Sequence, residues 1–194
     1  MAERPGESLR LFVAIELPAE VRQALLRVQD DLRRAGADRL RWVRPEGVHL
    51  TLKFLGEVAA ERVDAVEAAL RSAIEPFELR LRLATLGGFG GARLRVVWVG
   101  LEGDVEPLAA LAEQIERALT PLGFPRERRP FAAHLTLARV LDATPSDERE
   151  RLASLLRRTS PSPMPSMVAT EVSLMRSVLG QGGAVYTRFA AFPA

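Results

Sequence analysis

The chain has 194 residues, 47% hydrophobic and 27% charged, which is enough apolar material for one large core or two small lobes and excludes collagen-like and low-complexity classes. Lysine and arginine number 27 against 25 acids, so the net charge of +2 does not describe a polycation. Cysteine is absent, which removes disulfides, thiolate zinc sites, iron–sulfur clusters and a cysteine nucleophile together.

Lys53 is the only lysine, and every other base is an arginine. Such a bias follows from source composition and is no evidence for nucleic acid by itself. Met1 to Arg10 is polar, unlike a signal peptide, and no apolar run reaches the roughly 18 residues needed to cross a bilayer. A soluble, cytoplasmic protein is expected.

Arg10 to Leu17 (RLFVAIEL) reads as a buried strand. After Pro18, Val21, Leu25, Val28 and Leu32 outline an amphipathic helix ending near Gly36. Gly47 to Leu55 (GVHLTLKFL) alternates between faces as a strand does. Val63, Val66, Leu70 and Ile74 mark a second helix, stopped by Pro76. Phe77 to Leu83 alternates apolar with charged residues and predicts a strand with one wet face. Gly87, Gly88, Gly90 and Gly91 predict a turn before a strand over Leu94 to Leu101. Val105 to Leu119 reads as a helix, Ala133 to Leu141 as a strand, and Asp147 to Arg158 as a short helix. Ser160 to Ser166 (SPSPMPS) is a connector, and Val168 to Leu179 and Ala184 to Phe192 predict a closing pair of strands. Strands outnumber helices and lie as hairpin-like neighbours, so the expected class is α+β with antiparallel sheets.

The chain has two histidines, His49 and His134, and both head the tetrapeptide His-Leu-Thr-Leu. The chance of Leu-Thr-Leu following a given histidine is on the order of one in a thousand at ordinary residue frequencies. Two copies, each on a predicted strand, therefore point to a duplicated unit: one bilobal domain over residues 1–194 with one motif per lobe. On a strand, residues i and i+2 share a face, so each motif presents an imidazole beside a hydroxyl while its leucines anchor the other face. Two imidazoles across a small anion suit acid–base displacement at phosphorus, with one accepting a proton and the other giving one. Thr51 and Thr136 can stabilise charge growing on the non-bridging oxygens. A metal would need a further carboxylate ligand, and Glu57 and Asp142, each eight residues past a histidine, are expected beyond the strand ends.

At these residues the chain resembles the RNA 2′,3′-cyclic phosphodiesterase (2′-5′ RNA ligase) family of the two-histidine phosphoesterases, whose hallmark is a pair of His-x-Thr-x motifs. The similar stretches are RLFVAIELP, RWVRPEGVHLTLKFLGEV, RVVWVGL, RPFAAHLTLARV and GAVYTRFAAFP, which together span most of the chain. Ala133 stands where the family often has proline before the second histidine. The resemblance implies two pseudo-symmetric lobes, each an antiparallel sheet with helices on its outer side, flanking a central cleft. It also implies metal-independent hydrolysis of an RNA terminal 2′,3′-cyclic phosphate to a 2′-phosphomonoester, some members also joining RNA ends through 2′-5′ linkages. His49 would be the proton donor, His134 the proton acceptor, and Thr51 and Thr136 their partners. No metal or organic cofactor is implied. The implied partner is RNA with a cyclic phosphate end, tRNA fragments included, with no membrane and no obligate protein partner. A small-nucleotide cyclic phosphodiesterase and a non-catalytic 2′-phosphate or RNA-binding module stay open as alternatives.

Basic residues surround both motifs and would contact RNA phosphates. Lys53, four residues past His49, is expected on the same face as His49 and Thr51 if the strand stays regular. Arg139, five past His134, is expected on the opposite face unless the strand bends or bulges. Arg129 precedes the second motif, and Trp42, flanked by Arg41 and Arg44, is the best candidate for stacking on a terminal base.

Overall fold

The computed structural model describes residues 7–37, 39–159, 165–180 and 183–193. Along the chain run β1 (Ser8–Ile15), α1 (Ala19–Arg34), β2 (Leu40–Trp42), β3 (Leu50–Ala59), α2 (Val63–Ala73), β4 (Leu79–Phe89), β5 (Val96–Gly103), α3 (Val105–Leu119), β6 (His134–Val140), α4 (Ser146–Arg158), β7 (Ser166–Ala169), β8 (Val172–Gly180) and β9 (Gly183–Phe192). One sheet has the order β3-β1-β8-β9 and the other β2-β6-β5-β4-β7, and neighbours in both are antiparallel. The α+β class and the two-sheet architecture are as expected, and each sheet holds one motif strand.

Three elements depart from the sequence reading. The three-residue β2 is too short to show a period, and it joins the second sheet by pairing with β6. The glycine-rich stretch is not all turn: β4 runs through Gly87 and Gly88 to Phe89, opposite β5. Gly87 is required there because a Cβ would stand 2.2 Å from the Trp98 indole, which lies across the sheet. The strand expected over Val168 to Leu179 is two strands: β7 closes one edge of the second sheet, and β8 returns to the first. Most of the connector, residues 160–164, lies outside the described residues.

The leucines of both motifs, Leu50, Leu52, Leu135 and Leu137, are buried. They join Val66 and Leu70 of α2 and Leu108 and Ile115 of α3 in one contiguous core on the faces away from the histidines. Truncating such a leucine to alanine costs about 2–5 kcal/mol.

Each motif strand bulges at its motif's last residue. Opposite β1, Ala14 faces Thr51 and Val13 faces Lys53, so Leu52 has no partner. Opposite β5, Trp98 faces Thr136 and Val97 faces Ala138, so Leu137 has none. A bulge places two consecutive side chains on one face and reverses the alternation beyond it. Leu52 and Lys53 both turn into the core, as do Leu137 and Ala138. This overturns the expected position of Lys53. Its ammonium is buried, donating to Glu116 Oε2 of α3 at 2.7 Å and to the Pro125 carbonyl at 2.9 Å. The same device carries Arg139 onto the face of His134 and Thr136.

A buried ion pair that loses one partner leaves an uncompensated charge. Glu116→Leu is therefore expected to destabilise the protein by about 3–5 kcal/mol. The double variant Lys53→Met/Glu116→Leu should recover most of that loss in urea denaturation. Equal loss in both would show that the pairing is not what the site depends on.

Candidate active site

His49 lies just before β3, and Thr51 follows on the strand, both half-buried. The His49 ring stacks on Phe12 of β1 with centroids 4.8 Å apart and planes 26° apart, and it meets the edge of Tyr186 of β9 at 4.5 Å. These aromatics form a small apolar floor with Ala14 and Met175, separate from the main core. Gly47 makes room for Tyr186, since a Cβ there would stand 3.1 Å from its ring. Burial pushes the His49 imidazole down to about 4, while the nearby Glu16 carboxylate partly opposes the shift. Burial would raise the Glu16 carboxyl in turn, but bonds from Arg188 at 2.5 Å and the Ser173 hydroxyl at 2.8 Å hold it below its ordinary value.

His134 opens β6, and Thr136 shares its face. His134 Nδ1 lies 2.7 Å from the Ala132 carbonyl. A carbonyl can only accept, so Nδ1 carries a hydrogen and Nε2 is the free nitrogen of the neutral ring. Phe89 meets this imidazole edge-on at 4.8 Å, with Trp98 beyond at 6.5 Å.

A cavity of about 260 Å³ joins the motif strands and is lined by His49, Thr51, Phe54, Thr136, Arg139 and Tyr186 among others. Three of the four motif side chains thus share one cavity. His134 lies outside its lining, two positions from Thr136 on the same face of β6. A larger cavity of about 480 Å³ between α4 and the segment joining α1 to β2 contains neither motif.

Of the other sequence candidates, Arg139 lines the cavity, which its expected face would not have allowed. Lys53 is withdrawn into the core, and Phe54 takes the cleft position in its place, 63% exposed. Arg129 is exposed on the segment before β6 and lines none of this cavity. Trp42 is half-buried at the end of β2, with the Arg33 guanidinium 4.5 Å over its ring, and it borders a neighbouring groove. Phe12, Glu16, Phe89 and Trp98 were not foreseen. The alternation of Phe12, Ala14 and Glu16 was a usable signal, masked because RLFVAIEL reads as buried on both faces. Glu57 proves to lie within β3, and among the described residues no three His, Asp or Glu side chains gather as metal ligands do.

The family model described as LigT like Phosphoesterase matches this chain twice, over residues 15–98 and 99–186, one motif in each match. An RNA 2′,3′-cyclic phosphodiesterase of Methanothermobacter thermautotrophicus is 35% identical over 188 residues, covering 95% of this chain and 98% of that protein. The Escherichia coli protein of the same name is 37% identical over 136 residues, covering 69% of this chain and 73% of that one. The crystal structure of E. coli LigT complexed with 3′-AMP superposes with a TM-score of 0.78 at 29% identity, covering 96% of this chain and 98% of that one.

The environment of His49 has a consequence for stability. Between about pH 6.5 and 4 the unfolded chain binds a proton at this residue that the folded chain refuses. Stability should therefore fall across that window as pH drops, by up to about 3 kcal/mol. Urea denaturation at stepped pH should show this slope in the parent and not in His49→Asn. The loss remaining at lower pH belongs to carboxylates such as Glu16. An unchanged slope in the variant would remove His49 as its source.

Proposed function

Because the chain belongs to the LigT-like phosphoesterase family, we propose that it opens a 2′,3′-cyclic phosphate at the end of an RNA to a 2′-phosphomonoester by two-histidine acid–base catalysis. The observation that carries this reading is the single cavity lined by His49, Thr51, Thr136 and Arg139, drawn from two sheets. The names of the relatives support the substrate.

In the proposed reaction a water oxygen attacks phosphorus, and its proton passes to Nε2 of His134. The bond from phosphorus to the ribose 3′ oxygen breaks, and that oxygen takes a proton from His49. Thr51 and Thr136 donate hydrogen bonds to the non-bridging oxygens as their charge grows. Burial leaves His49 neutral near pH 7. The arriving phosphate anion supplies the negative charge that draws a proton onto the ring. A 5′ hydroxyl end in place of water would give a 2′-5′ linkage at the same site.

An oligonucleotide with a 2′,3′-cyclic phosphate end, incubated with excess chelator, should yield a 2′-monophosphate at the rate seen without chelator. A 3′-phosphate product, or a loss of activity restored by added metal, would overturn the mechanism.

The two histidine roles separate by leaving group. An acid is needed only while the departing oxygen is poor at holding charge. On a p-nitrophenyl diester, His49→Ala should recover most of its deficit, about 10² to 10⁴ for one acid–base group. His134→Ala should stay impaired, because water must still lose its proton. The reverse pattern would exchange the two assignments.

A further inference from the structure

The catalytic cavity opens into a groove of about 1050 Å³, sharing with it Arg10, Val43, Gly47, Arg139, Ser177 and Tyr186. One wall is β2 with the end of β6. The other is the part of the β8–β9 hairpin that extends past the last β1 partner, Arg176, and it is neutral at Ser177, Ala184 and Val185. Resting on the reading above, we propose that this groove is a second phosphate subsite. Arg41 and Arg139 there would take the phosphodiester immediately 5′ of the nucleotide that reacts.

Three observations carry the assignment. Arg10, Arg41, Arg44 and Arg139 all line the groove against a single acid, Glu46, and among the described residues none of the four pairs with a carboxylate. Arg80, Arg82, Arg126, Arg151 and Arg176 each hold an acidic partner, while Arg27, Arg71 and Arg129, outside the groove, hold none among the described residues; what sets the groove apart is four such arginines gathered about one acid.

The second observation is register. Arg41 and Arg139 stand directly opposite one another on β2 and β6. Like charges so placed are unfavourable unless an anion lies between them. Elsewhere in the same sheet the directly opposed pair is Arg82 and Glu102, joined at 2.5 Å. The groove has an arginine where pairing would place an acid.

The third is spacing. Thr136 and Arg139 face Trp98 and Val96 on β5, two residues apart along that strand. At about 3.4 Å per residue the separation is about 7 Å, one nucleotide step along an extended strand. A phosphate held at Thr136 thus has its 5′ neighbour at the arginine pair, where a guanidinium can bind it through paired N–H donors.

The test uses three substrates and a variant that touches only the groove. The substrates are a nucleoside 2′,3′-cyclic phosphate, a dinucleotide with the same cyclic end, and that dinucleotide with a neutral methylphosphonate linkage. With the parent protein, kcat/KM should be highest for the charged dinucleotide. Arg41→Gln should lower that value alone, by about ten- to a hundredfold, and reduce its log–log salt slope by about one. Equal kcat/KM for charged and neutral dinucleotides in the parent would overturn the subsite, as would equal loss on all three substrates in Arg41→Gln. If none of the three is opened, the phosphodiesterase reading fails, and binding then decides the subsite. Tighter binding of the charged dinucleotide than the neutral one, lost in Arg41→Gln, would support it. Equal binding would overturn it.

Discussion

A bulge breaks a strand's alternation at the cost of one unpaired residue, and each motif strand accepts that cost at its motif's last residue, Leu52 and Leu137. Without the bulges, regular alternation would place Lys53 and Ala138 in the cleft and drive Phe54 and Arg139 toward the core. An unpaired guanidinium there would cost several kcal/mol. With them, histidine and threonine keep the cleft face, two apolar anchors follow in succession, and the residue five past each histidine returns to the cleft. The surroundings of both bulges are built to suit. Leu137's carbonyl accepts from the Val43 amide at 2.9 Å and from Gln29 of α1 at 3.1 Å, and Gln29 is itself buried. At the other bulge Lys53 meets Glu116 of α3. Each helix thus reaches the motif strand of the sheet that its own preceding strand does not belong to.

The two tetrapeptides are identical, and the differences between the two histidines come from the strands beside them. β1 and β9 give His49 a stacked phenylalanine and a tyrosine edge, which remove it from water and leave it neutral. β4 and β5 give His134 a phenylalanine edge, and the Ala132 carbonyl fixes its tautomer. Five residues on, the same backbone device presents Phe54 on one side and Arg139 on the other. A twofold-related scaffold therefore holds an asymmetric site, as the proposed pairing of one donor with one acceptor would require.

Composition, periodicity and the repeat made most of this legible. Helices α1, α2 and α3 carried apolar stripes long enough to show their period, and the motif strands were marked by their own alternation. β2 was hidden by its length. The split between β7 and β8 was hidden because one apolar run serves two sheets, and nothing local in Val168 to Leu179 says that the chain changes sheet. Lys53 was misplaced by applying the two-residue period across a bulge that depends on tertiary packing. Lys53, invisible to the cleft, marks that bulge because a lone lysine amid core leucines must find an acid, and Glu116 lies 63 residues away.

The strand exchange also bears on how the cleft works. β2 leaves the first half of the chain for the second sheet, while β8 and β9 return from the second half to complete the first. Buried residues from both sheets and from all four helices join one main cluster. Opening the cleft as a hinge between lobes would have to strain several crossing connections and part a shared core. Such a core deforms little. The two histidines are therefore held at a spacing set during folding, not by ligand-driven closure. For the proposed reaction, which would move two protons around one phosphorus, positions fixed in advance replace work that binding would otherwise have to supply.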